Sequence, residues 1–203
     1  MFDHRLFWTD SQCLKHGGWL LLLVTALLYL PGTDVIPLMD RDEPRFAQAT
    51  VEMMERGSWA VPYFNGEYRF DKPPLTYWWM QLHFLLFGVG EMGARLHGIV
   101  AVFLTALVTR GLAQRVSGSA RTGFIAGLLW LTTAQVLIHG RLCVADMPMI
   151  SCVTLACRSL IELVVMPLEK PRARWWWTLW LALGFGFLAK GPIAWFVPVS
   201  YTH

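Results

Sequence analysis

Charge is scarce in this sequence. Charged side chains make up 15% of its 203 residues, against about 25% in a typical soluble domain. Cysteine is sparse as well: Cys13, Cys143, Cys152 and Cys157 show no disulfide spacing. Cys152 and Cys157 sit in an apolar segment, which suits small packed residues rather than a covalent framework. No basic tract and no interleaving of aromatic and basic residues occurs, and the net charge is only +3, so no nucleic-acid partner is expected. No small-x-small cleavage site follows the first apolar run, which therefore reads as a retained anchor and not a cleaved signal peptide. These absences exclude a disulfide scaffold, a nucleic-acid binder and an ordinary cytosolic enzyme. What is abundant excludes disorder: 55% of residues are hydrophobic, with 11 Trp, 12 Phe and 9 Met.

The apolar residues come in long uncharged runs at 16–33, 73–90, 96–109, 122–140, 147–157 and 175–189. About 20 residues of helix cross a hydrocarbon core, fewer if flanking groups reach the interface. The run from 147 is expected to continue to about Met166, with Arg158 and Glu162 paired one helical turn apart. A further apolar run opens at Gly191 and is still apolar at His203, which predicts that the chain is the N-terminal part of a longer protein. The fold class expected is all-α, a polytopic transmembrane helical bundle.

Lys and Arg in short loops orient such a bundle. Arg110, Arg115 and Arg121 fall in one loop without an acid, and Lys170, Arg172 and Arg174 face only Glu169 in another. Both loops belong on the cytoplasmic side, with the N-terminus carrying Arg5 and Lys15. All basic loops then share a side only if 73–90 lies in the interface or re-enters. Its Pro73-Pro74 opening, its Gln81 and His83, and its Tyr77-Trp78-Trp79 cluster suit the headgroup level. The alternative, that 73–90 crosses fully, leaves Arg110–Arg121 outside.

Of the 31 charged residues, 13 lie between 34 and 72, the expected extracytoplasmic loop. Within it Asp42-Glu43-Pro44-Arg45 opens a helical pattern with Phe46, Ala49, Thr50, Met53 and Met54 on one face, which reads as an amphipathic juxtamembrane helix on the outer surface. Asp42 suits its N-cap and Gly57 its C-terminal stop. Lys72 precedes proline and is therefore held extended. A cation fixed there meets a phosphate headgroup or simply anchors the helix in the interface. Asp71 pairs with Lys72 or ligates a divalent cation. Arg95 caps a helix or meets a phosphate. Asp146 suits a cap, and Lys190 closes the sixth run. Boundary charges of this kind are functional candidates.

Arg41-Asp42-Glu43-Pro44-Arg45-Phe46-Ala47, Phe70-Asp71-Lys72-Pro73-Pro74-Leu75, Ala94-Arg95-Leu96, Asp146-Met147-Pro148 and Ala189-Lys190-Gly191-Pro192 occur in one order. This ordered set resembles the N-terminal part of polyprenyl-phosphate-dependent glycosyltransferases with the multispan GT-C fold. The relatives are bacterial lipid A aminoarabinose transferases and the dolichyl-phosphate-mannose–protein mannosyltransferase family. The resemblance implies a multi-pass protein of the bacterial inner membrane with its site on the extracytoplasmic side. It implies Asp42 as the catalytic carboxylate and Lys72 on the lipid phosphate. Glu43, Arg95, Asp146 and Lys190 become substrate-binding residues of the same cavity. Asp71 stands where some relatives carry a metal-linked Glu; the shorter side chain weakens that role. A divalent cation is the one cofactor implied, with a polyprenyl-phosphate-linked sugar, a lipid or protein acceptor and membrane lipids as partners.

The implied reaction is inverting sugar transfer. Lys72 and Arg95 meet the negative charge growing on the leaving phosphate, and Asp42 takes a proton from an acceptor hydroxyl. With a lipid A phosphate as acceptor no proton is removed, and Asp42 instead orients the acceptor or stabilises the sugar. A flippase or transporter of a lipid-linked substrate is the competing class. It places coupling charges near the membrane midplane, whereas these charges cluster in one loop and at run ends.

Overall fold

A computed structural model describes residues 9–39, 41–165 and 172–200. The expected basic loop at 167–174 and the extension to Met166 lie partly outside the described residues. The first apolar run becomes α1 (Asp10–Tyr29), started by a capping box in which the Thr9 side chain and Gln12 satisfy each other's backbone N–H groups. Then follow α2 (Asp42–Glu55), the strands β1 (Tyr63–Phe64) and β2 (Glu67–Tyr68), and α3 (Leu75–Phe87). The remaining helices are α4 (Glu91–Ser117), α5 (Ala120–Thr132), α6 (Ala134–His139), α7 (Asp146–Val164), α8 (Arg172–Lys190) and α9 (Ile193–Ser200).

Polar contacts at the helix ends fix the directions. Arg95, at the start of α4, donates to the Thr33 carbonyl just beyond α1. At the other end of α4, Arg110 donates to the carbonyls of Cys13 and Leu14 in the first turns of α1. The two helices are therefore antiparallel. Asp10 accepts from the Ser119 hydroxyl and the Arg121 N–H, fastening the α4–α5 turn to the start of α1. Arg115 of α4 pairs with Glu162 near the end of α7, and Lys190 at the end of α8 pairs with Asp146 at the start of α7. One end of the bundle thus collects Lys15, Arg110, Arg115 and Arg121. The opposite end collects residues 33–39 and the starts of α2, α4 and α7.

Between α1 and α4 the chain leaves and returns at this second end. The intervening α3 has 13 residues and a length of about 20 Å, short of the roughly 30 Å of a hydrocarbon core. By length and apolarity α4 and α7 each suffice to cross a membrane. Leu21 and Tyr29 of α1 pack with Ile99 and Val102 of α4 and Leu131 of α5 in the central core. The Tyr29 hydroxyl finds its buried partner in the Leu131 carbonyl at 2.7 Å.

Three expectations need correction. The run 122–140 is two helices, broken at Thr133, whose ψ of 127° is extended. Thr132 and Thr133 both turn their hydroxyls back to the carbonyls of Leu128 and Leu129, and this local bonding competes with a continuing ladder. Glu162 makes its ion-pair contact with Arg115; Arg158 stays within electrostatic reach of Glu162, but its guanidinium lies over the Trp175 ring. The apolar face of α2 is covered by protein: Phe46, Ala49 and Met53 pack on Tyr77, Met80 and Phe84 of α3 and on Ala94 and Cys143. That face is therefore not left for lipid.

Candidate active site

The first turns of α2 face the end of the bundle where α4 and α7 begin. Its N-cap is Arg41, with no side-chain capping bond, and Asp42 is the first helical residue. Its carboxylate is exposed and has no side-chain hydrogen bond or ion pair among the described residues. A capping role for Asp42, the simplest reading of its position in the sequence, is thereby removed. At its far end α2 closes as expected. Gly57 takes a left-handed φ of 62°, and Ser58 and Gly57 donate to the carbonyls of Met53 and Met54.

Past α2 the chain doubles back as a hairpin. Asn65 and Gly66, with φ of 54° and 80°, form the turn between β1 and β2. Glu52 of α2 accepts both turn N–H groups, from Asn65 at 2.8 Å and from Gly66 at 3.0 Å. These bonds, foremost the one from Gly66, hold its carboxyl below the usual glutamate range. The Arg69 guanidinium, almost fully buried, lies over the rings of Phe46 and Phe64. The hairpin is thus docked on α2, and it delivers Asp71 and Lys72 to the same end as Asp42. Lys72 is half-buried and has no side-chain hydrogen bond or ion pair among the described residues.

Glu43 and Arg95 have a different setting from the one their place in the sequence suggests. Both are buried and paired, with Arg95 Nε 3.0 Å from Glu43 Oε1 and Nη2 3.0 Å from Oε2. The other Arg95 donors reach the carbonyls of Thr33, Ile36 and Pro37. A guanidinium has five N–H groups, and protein oxygens accept all of them, so none is left for a phosphate. Removing one partner of such a buried pair costs on the order of 3–5 kcal/mol. Two residues on, the His97 ring lies between the Ala94 and Val144 carbonyls and ties α4 to the turn before α7.

Asp146 opens α7 without acting as a cap and is paired with Lys190. Both side chains are partly exposed, at 31% and 26%, so the pair remains open to a ligand. Asp71 is largely exposed and lies 3.8 Å from Arg69 rather than pairing with Lys72. Among the described residues no three His, Cys, Asp or Glu side chains gather into a metal site, and the neighbour of Asp71 is a cation. These residues do not fit a divalent ion. A cavity of about 300 Å³ opens beside the Glu43–Arg95 pair, lined by Gly32, Thr33, Met39, Ile138 and Arg141.

Residues 71–201, well over half of the chain, match the family described as dolichyl-phosphate-mannose-protein mannosyltransferase. The chain belongs to this family. Among its similar relatives is the undecaprenyl phosphate-alpha-4-amino-4-deoxy-L-arabinose arabinosyl transferase of Edwardsiella ictaluri (strain 93-146). That protein is 34% identical over an alignment of 190 residues that covers 91% of this chain and 34% of the relative. The protein of the same description from Pseudomonas aeruginosa (strain LESB58) is 32% identical over 180 residues, 89% of this chain and 33% of its own length. The crystal structure of ArnT from Cupriavidus metallidurans bound to undecaprenyl phosphate superposes with a TM-score of 0.82 at 27% identity. It covers 91% of this chain and 35% of that one. The chain spans about a third of the length of the relatives it matches.

Two structural devices of this mannosyltransferase-family chain are missing from the sequence reading. The hairpin has a signal, Asn65-Gly66, the strongest short-range mark of a type I′ turn. The Glu43–Arg95 pair has none, because its members are 52 residues apart and only the packing of α4 against the loop joins them.

Proposed function

We propose that the complete protein is a multi-pass glycosyltransferase of the bacterial inner membrane. It moves a sugar from a polyprenyl phosphate to a lipid A-like acceptor at the extracytoplasmic face. The observation that carries this reading is the likeness, along 91% of the chain, to an ArnT structure whose ligand is undecaprenyl phosphate. The bundle geometry supports it, since the acidic and basic candidates gather at one end and Lys15, Arg110, Arg115 and Arg121 at the other. Positive residues favour the cytoplasmic side, so the end with Asp42, Lys72, Asp146 and Lys190 faces out. A coupling charge at mid-bundle would have favoured a transporter; Asp42, Lys72 and the Asp146–Lys190 pair instead stand at helix ends.

Lys72 is the cation that meets the lipid phosphate and stabilises the charge it gains as the sugar–oxygen bond breaks. Asp42 is the catalytic carboxylate: it accepts the acceptor's proton when the acceptor is a hydroxyl, and it orients the acceptor when that group is a phosphate. The Asp146–Lys190 pair, at the same end of the bundle, binds substrate by exchanging its mutual contact for contacts to the sugar or acceptor. Glu43 and Arg95 bind no substrate in this scheme, and no step passes through a cation at Asp71. A protein acceptor is the second reading, favoured by the family match over 71–201. Mass spectrometry of outer-surface glycolipids and glycoproteins, with and without the intact gene, distinguishes the two. A sugar-modified lipid A that disappears with the gene is expected, and an unchanged glycolipid profile contradicts the reading.

A further inference from the structure

We propose that Glu43, acting with Arg95, is a positioning residue that sets the place of Asp42 relative to Asp146. The inference rests on the reading of Asp42 as the catalytic carboxylate.

The geometry is that of a hub. Glu43 Oε1 accepts from Arg95 Nε and from the Cys143 N–H at 2.7 Å; Oε2 accepts from Arg95 Nη2 and from the Met39 N–H at 2.8 Å. Arg95 adds the carbonyls of Thr33, Ile36 and Pro37 at 3.0, 2.6 and 2.9 Å. One ion pair therefore ties together the loop after α1, the first turn of α2, the start of α4 and the turn before α7. Asp42 is the residue before Glu43, and Asp146 lies three residues beyond Cys143. These two carboxylates come from distant parts of the chain, and Glu43 is the side chain that bonds to the backbone bearing the second while its own backbone bears the first.

Burial separates positioning from binding. Glu43 is 0% and Arg95 3% exposed, and every guanidinium N–H already has an oxygen. Buried ion pairs add little net stability over a well-packed apolar core. A fully bonded pair is instead suited to fixing one arrangement of several segments, and reacting groups misplaced by about 1 Å lose on the order of 10²-fold in rate.

The test uses the full-length protein in lipid nanodiscs with undecaprenyl-phosphate-linked sugar as donor. Glu43→Gln keeps the shape of the side chain. Whichever way the amide turns, its NH₂ faces two donors, either Arg95 Nε with the Cys143 N–H or Arg95 Nη2 with the Met39 N–H. Turnover is expected to fall about 10²-fold, with KM for the donor changed by less than about twofold. Arg95→Lys, which supplies three donors where five are used, is expected to fall similarly. The double variant is expected to be no worse than either single one, because the two residues act as a unit. Glu43→Asp keeps the charge with a shorter reach, should lie between wild type and Glu43→Gln, and serves if the latter does not fold. Genetically encoded spin labels at Glu55 of α2 and Gln135 of α6, both exposed, give a readout independent of catalysis. Their distance distribution should broaden in each variant. Unchanged turnover, a raised KM at unchanged kcat, additive losses or an unaltered distance distribution each overturn the inference. Absence of transfer by the wild-type protein defeats the proposed function instead, and the distance measurement still decides whether the hub positions α2.

Discussion

At Lys72 the local sequence does much of the positioning. Pro73 keeps the residue before it out of the helical region, and the ammonium stands half-buried without a partner among the described residues. Lys72→Ala is therefore expected to raise KM for the polyprenyl-phosphate donor at least about tenfold, the scale of a lost charge-assisted bond. Lys72→Arg should recover most of it, and steady-state kinetics at varied donor concentration checks both. The Asp146–Lys190 pair behaves differently. Its members are partly exposed, so Lys190→Ala should change stability by no more than about 1 kcal/mol while lowering transfer. A thermal melt beside an activity assay separates these effects. Single residues were legible as charges at boundaries, and Asp42 was legible as the head of a helix. Which charge faces which was not. Arg95 reads as a free cation until the loop carbonyls of Thr33, Ile36 and Pro37 are folded around it.

Among the elements, the hairpin carries a pH signature. The Glu52 carboxyl is held below the ordinary value of about 4.3 by the N–H groups it accepts, foremost that of Gly66. A depressed folded-state pKa contributes stability that is present above the ordinary value and lost as pH falls through the lower one. Hydrogen exchange at the Asn65 and Gly66 amides should therefore be slow relative to an open turn at neutral pH. That protection should persist through the ordinary glutamate range and fall away only as pH drops through the lower folded-state value. In Glu52→Ala it should be lost at every pH; protection that persists in that variant contradicts the docking of the hairpin on α2. Helix existence was legible from apolar runs, and the end of α2 from Gly57. The break at Thr133 was not, because the back-bonding of adjacent threonine hydroxyls leaves no trace in an apolar pattern. The covered face of α2 was likewise hidden, since an amphipathic pattern is the same whether lipid or α3 covers it.

For the whole molecule, the end contacts of α1, α4 and α7 make one end with Lys15, Arg110, Arg115 and Arg121 and one end with the candidate residues. The sequence pattern reached the same division from loop charges, once 73–90 was read as not crossing. The length of α3 and the antiparallel pairing of α1 with α4 agree with that. A reporter inserted after Ser117 should lie in the cytoplasm, and one inserted at Gly66 outside; both on one side contradicts the topology. The central claim, that Asp42 is the carboxylate of a sugar-transfer site at the outer end, is tested most directly by one comparison. Full-length wild-type protein and Asp42→Asn are assayed for transfer of sugar from undecaprenyl phosphate to lipid A, at equal membrane insertion. The account predicts transfer by the wild type and a loss of at least about 10²-fold in the variant. Transfer by Asp42→Asn at the wild-type rate would contradict it.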